Sequence, residues 1–265
     1  MATDERESGV HTERRGAVLE VTLDRPKANA IDGATSRRMG EIFAGFRDDP
    51  ELRVAIVTGG GERFFSAGWD LKSVAADGQP DMEFGVGGFG GLQELPDLNK
   101  PVIAAVNGMA VGGGFELALS ADLIVAAGGA RFALPEINAG TLADAATIKL
   151  PRRMPFHVAM ELLFTGRWME VGEAKSWGLV NEVVPAGALM TRAREIAELL
   201  AAGPPLVFAA IKEVTRRCEQ LTVQEAFDLV NGQKLDTVQR LYNSEDMMEG
   251  ARAFAEKRDP VWRGR

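Results

Sequence analysis

Two glutamates, Glu116 and Glu136, and two glycine-bearing turns, Ser66-Ala67-Gly68-Trp69 and Gly112-Gly113-Gly114, are the residues of this chain best suited to chemistry. Each turn follows an apolar segment and leads into a helix. Glycine lets a backbone come close to a ligand. The first N–H groups of a helix have no internal partner and lie at the positive end of its dipole. Two such turns side by side would offer two N–H donors to one oxygen, which is the arrangement of an oxyanion hole. Glu116 falls in the first turn of the helix opened by Gly112-Gly113-Gly114. An acid there can simply complement the helix N-terminus. Its setting, Gly114-Phe115-Glu116-Leu117-Ala118-Leu119, is apolar, and acids are seldom buried without a reason. Glu136 follows Pro135, just past a strand ending in Leu134, and the stretch from Asp122 to Arg131 is long enough for the chain to reverse and return.

Other chemistries find little support. His11 and His157 have no nucleophile or carboxylate in a recognised arrangement, so a histidine-based triad is not expected. Two histidines and one cysteine without ligand spacing do not make a zinc site, and no metal is expected. Cys218 excludes an intrachain disulfide and fits a reducing, cytoplasmic location; its polar, helix-like neighbours mark it as structural. Gly85-Val86-Gly87-Gly88-Phe89-Gly90 satisfies the dinucleotide string G-x-G-x-x-G, but no buried strand precedes it. There is no P-loop and no G-x-S-x-G elbow.

The elements that must position these residues are those of an α/β protein. Val18 to Leu23 reads as a first strand, and Asp32 as the N-cap of a helix carrying Met39, Ile42, Phe43 and Phe46 on one face. Val54 to Thr58 and Pro101 to Val106 are continuous apolar runs, the pattern of strands buried on both faces. Leu123 to Ala126, Arg131 to Leu134 and Leu179 to Val184 complete the strands. Strands separated by helices predict a largely parallel sheet. Residues 77–91 hold six glycines and read as a mobile loop near a site. Residues 186–257 read as four helices, broken at Pro204-Pro205, Leu221-Thr222 and Asn243-Ser244. The charged stretch 1–15 reads as a loosely held tail and not a signal peptide. The expected division is a tail over 1–15, a core over 16–200 and a helical region over 201–265. A net charge of −8 and a pI of about 5.0 disfavour nucleic acid and anionic membranes as partners. The most apolar stretch is too short and too glycine-rich to span a bilayer.

Lys100-Pro101-Val102-Ile103-Ala104-Ala105-Val106-Asn107-Gly108 followed by Gly112-Gly113-Gly114-Phe115-Glu116-Leu117-Ala118 resembles the signature of the crotonase (enoyl-CoA hydratase/isomerase) superfamily. Phe65 to Leu71 resembles its other oxyanion-hole segment, and Ala174 to Asn181 a further family stretch. Within the superfamily, Leu23 to Asp32, Phe64 to Lys72 and Ala253 to Trp262 are similar to the carnitinyl-CoA dehydratases, which interconvert crotonobetainyl-CoA and carnitinyl-CoA. The resemblance implies a ββα spiral core, a trimerising helical C-terminal region and a homo-trimer or hexamer. It implies an acyl-CoA substrate, with coenzyme A as part of that substrate and no separate cofactor. Carried over by position, it places the oxyanion-hole amides at Trp69 and Gly113 and the two catalytic acids at Glu116 and Glu136. Coenzyme A contacts fall on Lys27 and Ala28, on Ser66, Ala67, Gly68, Asp70 and Leu71, and on Lys257 of a neighbouring subunit. A general enoyl-CoA hydratase or isomerase and a non-catalytic CoA-binding protein are the alternatives. One segment departs from the family pattern: in Gly140-Thr141-Leu142-Ala143-Asp144-Ala145-Ala146-Thr147, alanine stands where the family has proline, and a Gly-Gly pair is absent. Asp144 reads as a helix cap or as an acid facing a cationic acyl group, and Trp69, Phe84 and Phe89 are further candidates for such a lining.

Overall fold

The computed structural model describes residues 9–70 and 82–265. The expected tail gives way to a strand at Val10. β1 (Val10–Arg15) pairs antiparallel with β2 (Val18–Leu23), Val10 opposite Leu23 and Arg15 opposite Val18. Only Val10 of β1 is buried, so this edge strand carries no apolar alternation for sequence reasoning to find. After β3 (Ala30–Ile31), Asp32 caps α1 (Gly33–Asp48), its carboxylate accepting from the Thr35 N–H at 2.8 Å. α1 buries Met39, Phe43 and Phe46, the expected face.

The chain then repeats one move three times. A strand of the main sheet is followed by one or two short strands outside it, which lead to a glycine turn or a helix. β4 (Val54–Gly59) leads to β5 (Phe64–Ser66) and β6 (Gly68–Trp69). β7 (Val102–Val106) leads to β8 (Met109–Val111) and α2 (Gly113–Leu119). β9 (Leu123–Ala127) leads to β10 (Arg131–Ala133) and α3 (Glu136–Ala139). Next come α4 (Asp144–Lys149), α5 (Phe156–Thr165), β11 (Met169–Glu170), α6 (Val171–Ser176), β12 (Glu182–Val184) and α7 (Leu189–Ala201). The main sheet runs β1-β2-β4-β7-β9-β12, parallel from β2 onward; a second sheet runs β11-β10-β8-β5, and β3 pairs with β6. The largely parallel sheet matches the expectation from strands alternating with helices.

Residues 54–57 of β4 and all of β7 are apolar because each strand feeds two cores. Ala55, Val57, Val102, Ala104 and Val106 join the larger core with α1 and α2. Val54, Ile56, Ile103 and Ala105 pack under Leu189, Ala193 and Ala197 of α7. α7 is also clamped by Arg194, whose guanidinium donates to both oxygens of the buried Glu20 at 2.7 and 2.8 Å.

The C-terminal region is α8 (Pro205–Cys218), α9 (Val223–Asn231), α10 (Asp236–Tyr242) and α11 (Asp246–Glu256). With α7, the described residues from 186 to 257 hold five helices and not the four expected. The additional break lies between Asn231 and Asp236, where Gln233 takes a left-handed φ of 49°. No glycine or proline pair announces it beyond the single Gly232. Among the described residues no helix is long and apolar enough to cross a membrane.

Candidate active site

Three short parallel strands bring the site together. Ser66 of β5 lies beside Ala110 of β8, and Ala110 and Val111 lie beside Phe132 and Ala133 of β10. Their C-terminal ends are therefore level, and the residues that follow them meet: Gly68 and Trp69, Gly112 and Gly113, and Glu136. The Gly112 N–H donates to the Ala133 carbonyl at 2.9 Å, tying the second turn to the strand that delivers Glu136.

The first turn and the start of α2 are in close contact. Gly68 has φ of 80°, and a Cβ there would stand 2.7 Å from the Gly113 nitrogen and 2.7 Å from the Val111 oxygen. Only glycine meets both conditions at once. The turn is braced by Ser66, whose buried hydroxyl donates to the Asn29 carbonyl at 2.7 Å and accepts from the Gly68 N–H at 3.1 Å. Gly113 is the first residue of α2, so its N–H has no partner one helical turn back.

A cavity of about 530 Å³ opens over these turns. Ala67, Trp69, Gly112, Gly113, Glu116 and Glu136 all line it. Both expected acids and both expected amide-bearing residues thus share one chamber. Glu116 is buried, at 7% exposure. Its Oε1 accepts from the Ala146 N–H of α4 at 2.8 Å, and Gln93 Nε2 reaches Oε2 at 3.5 Å. Burial pushes its carboxyl above the ordinary range, and the hydrogen bond from Ala146 works against that rise. Glu136 is half-buried at the start of α3, with Oε1 2.6 Å from where a Cβ on Gly112 would stand. Its Oε2 is buried without a hydrogen-bond partner among the described residues. Burial, with a further contribution from the nearby charge of Glu116, raises the Glu136 carboxyl to about 7.

The four residues considered for a cationic acyl group, Trp69, Phe84, Phe89 and Asp144, also line this cavity. Phe84 and Phe89 meet edge to face at 5.4 Å, and a Cβ on Gly113 would be 2.3 Å from the Phe89 ring. Asp144 does not cap its helix: the N-cap of α4 is Ala143, and Asp144 is the first helical residue. The expected mobile loop is exposed at Met82, Glu83, Gly85 and Val86 and packed beyond them. Gly87, Gly88, Gly90 and Gly91 are buried, and a 3-10 turn over Phe89–Gly91 lies against α1. Residues 77–81 of that loop lie outside the described residues, as does Leu71.

A model of the enoyl-CoA hydratase/isomerase family matches residues 13–265. The chain belongs to that family. A carnitinyl-CoA dehydratase of Citrobacter koseri is 56% identical over 257 residues, 97% of this chain and 98% of that one. Its counterpart in Proteus mirabilis is 54% identical over the same coverage. Among solved structures, an enoyl-CoA hydratase from Mycobacterium tuberculosis superposes with a TM-score of 0.87 at 37% identity, covering 97% of this chain and all of that one. One from Mycobacterium marinum gives 0.88, also at 37% identity. The fold is therefore the crotonase fold.

Against this family background, the residues assigned to coenzyme A are partly gathered. The Ala67 N–H donates to the Ala28 carbonyl at 2.9 Å, which joins the Lys27-Ala28 turn to the Ser66–Gly68 segment. Arg25 braces the same corner, donating to the Ala30 carbonyl and to Asp32 and standing 3.9 Å from Asp70. Lys257 is exposed at the C-cap of α11 and does not line the cavity. Gln93, Glu94, Ala139, Ile148 and Lys149 line the cavity and escaped sequence reasoning, and of these Gln93 and Lys149 act on Glu116. Lys149 carried a faint signal as a lone cation closing the run Ala145-Ala146-Thr147-Ile148; Gln93, in an irregular segment, carried none.

Proposed function

We propose that this enzyme is a carnitinyl-CoA dehydratase, a hydro-lyase that interconverts crotonobetainyl-CoA and carnitinyl-CoA. The observation that carries the reading is the sharing of one cavity by two buried or half-buried carboxyls and two glycine-turn amides. Near-full-length relatives bearing that name support the choice of acyl group.

In this reading the thioester oxygen accepts from the N–H groups of Trp69 and Gly113. Charge grows on that oxygen as the enolate forms, so the donors hold the transition state more tightly than the substrate. Glu116, whose two oxygens face the Ala146 N–H and the Gln93 amide, starts as the carboxylate. Glu136, with an unpartnered oxygen and a carboxyl raised to about 7, starts as the acid. A water between them gives a proton to Glu116 and its hydroxyl to Cβ. Glu136 gives its proton to Cα, and proton exchange between the acids through solvent resets the pair. Two adjacent carboxyls resist ionising together, which keeps one protonated near neutral pH. The nucleotide of coenzyme A runs past Lys27-Ala28 and Ser66–Asp70, with Lys257 of a neighbouring subunit at its phosphate. Exposed Val223, Phe227, Tyr242, Met247 and Phe254 on the C-terminal helices support a homo-trimer or hexamer. The setting is cytoplasmic.

The test is hydration of crotonobetainyl-CoA and crotonyl-CoA by the purified chain and by Glu116→Gln and Glu136→Gln. Each variant is expected to lose about 10²-fold or more in kcat. Near-normal turnover in either removes that residue from the mechanism. A preference for crotonyl-CoA replaces the acyl assignment, and acyl-CoA binding without turnover replaces the enzyme.

A further inference from the structure

We infer that Lys149 is a positioning residue for the hydration step, holding Glu116 in place and biasing it toward the carboxylate. The inference rests on Glu116 being the base. Lys149 closes α4, lines the cavity and is half-buried. Its Nζ donates to Ser120 Oγ at 2.8 Å and to the Gln93 carbonyl at 3.1 Å. Both acceptors lead back to Glu116. Ser120 Oγ donates in turn to the Glu116 carbonyl at 2.8 Å, and the side chain of Gln93 reaches Glu116 Oε2. The third support of Glu116, the Ala146 N–H, comes from the same short helix as Lys149. One ammonium therefore joins the three segments that surround the carboxylate: α2, the Gln93 segment and α4.

The charge acts alongside the geometry. Groups facing Glu116 are Glu136 from α3, Gln93 from its segment, and Asp144 and Lys149 from α4; Lys149 itself faces Arg153 and Glu94. Burial raises the Glu116 carboxyl; the hydrogen bonds from Ala146 and Gln93 oppose that rise first, and the charge of Lys149, the one cation acting on Glu116 among the described residues, adds a smaller pull in the same direction. Burial first, then Arg153, brings Lys149 itself down to about 8, so it is charged over most of the neutral range. Without it, the base needs a higher pH to ionise.

The experiment compares the full chain with Lys149→Met, Lys149→Gln and Lys149→Arg, following crotonobetainyl-CoA hydration from pH 5.5 to 9. Both neutral variants are expected to lose about 10-fold in kcat with KM within about threefold. The acid limb of their kcat profiles should move to higher pH. Lys149→Arg should restore the wild-type limb and most of kcat. A merely structural lysine would lower kcat without moving the limb. The inference is overturned if both neutral variants keep the wild-type acid limb, or if arginine fails to restore it. Glu116→Gln separates this from the underlying reading. Retained turnover there removes the base, whereas lost turnover there with unmoved limbs in the Lys149 variants removes only the role of Lys149.

Discussion

Replacing Glu136 with glutamine should stabilise the protein at alkaline pH while inactivating it. The Glu136 carboxyl is raised from 4.5 to about 7 in the folded chain, first by burial and then by the charge of Glu116. Unfolded, it ionises near its ordinary value. Between those two pH values the folded state holds a proton that the unfolded state has released, so stability falls as pH rises through the window. At about 1.4 kcal/mol for each pH step, a gap of about 2.5 comes to at most about 3.5 kcal/mol, which solvent screening of the half-buried carboxyl brings to about 2 kcal/mol lost above pH 7. Glutamine cannot ionise and escapes that loss. Equilibrium urea unfolding of wild type and Glu136→Gln at pH 5, 6, 7 and 8.5 reads the effect directly. The stability difference should grow in favour of the variant by roughly 1.5 kcal/mol from the lowest to the highest pH, because part of the window lies below pH 5 and solvent screens the half-buried carboxyl. The offset at pH 5 reflects amide against neutral acid and is not the test. Parallel stability profiles would mean that Glu136 ionises in the folded chain as it does in water, and would refute its burial as an acid.

Gly68→Ala should lower kcat by about 10²-fold or more with the circular dichroism spectrum retained, because the new methyl would stand 2.7 Å from the Gly113 nitrogen; unchanged turnover would separate this turn from the chemistry. Ser66→Ala should cost about 1–3 kcal/mol in thermal or urea unfolding, since its hydroxyl serves the Asn29 carbonyl and the Gly68 N–H in a fully buried position. Thr222→Ala removes one half of the capping box that starts α9, with Glu225 as the other half. It should cost about 1 kcal/mol of stability without changing kcat.

Much of the core was legible in the sequence. Val54 to Thr58 and Val102 to Val106 are apolar at every position except Thr58 because both faces of those strands are covered, and that pattern has few other meanings. Asp32 announced α1 because a short acidic side chain before an apolar periodic run has a specific partner in the helix N–H groups. β1 was hidden for the opposite reason: an edge strand with one buried residue owes its place to ladder hydrogen bonds, which leave no mark on side-chain types. The break between α9 and α10 was hidden too, lying in a short polar turn with one glycine.

Residue types and order pointed to Glu116, Glu136 and the two glycine turns, since acids in apolar settings and glycine turns after buried strands each require an explanation; the choice of the Trp69 and Gly113 amides came from the family resemblance. What they could not settle was which acid starts protonated. That depends on partners distant in the chain: Ala146 and Gln93 around Glu116, and nothing at Glu136 Oε2 among the described residues. Lys149 and Gln93 became visible only because folding sets α4 and the Gln93 segment against α2. Local sequence fixes what a residue can donate, accept or fill. Solvation and the company of other charges, which decide how an acid behaves, are properties of the packed chain.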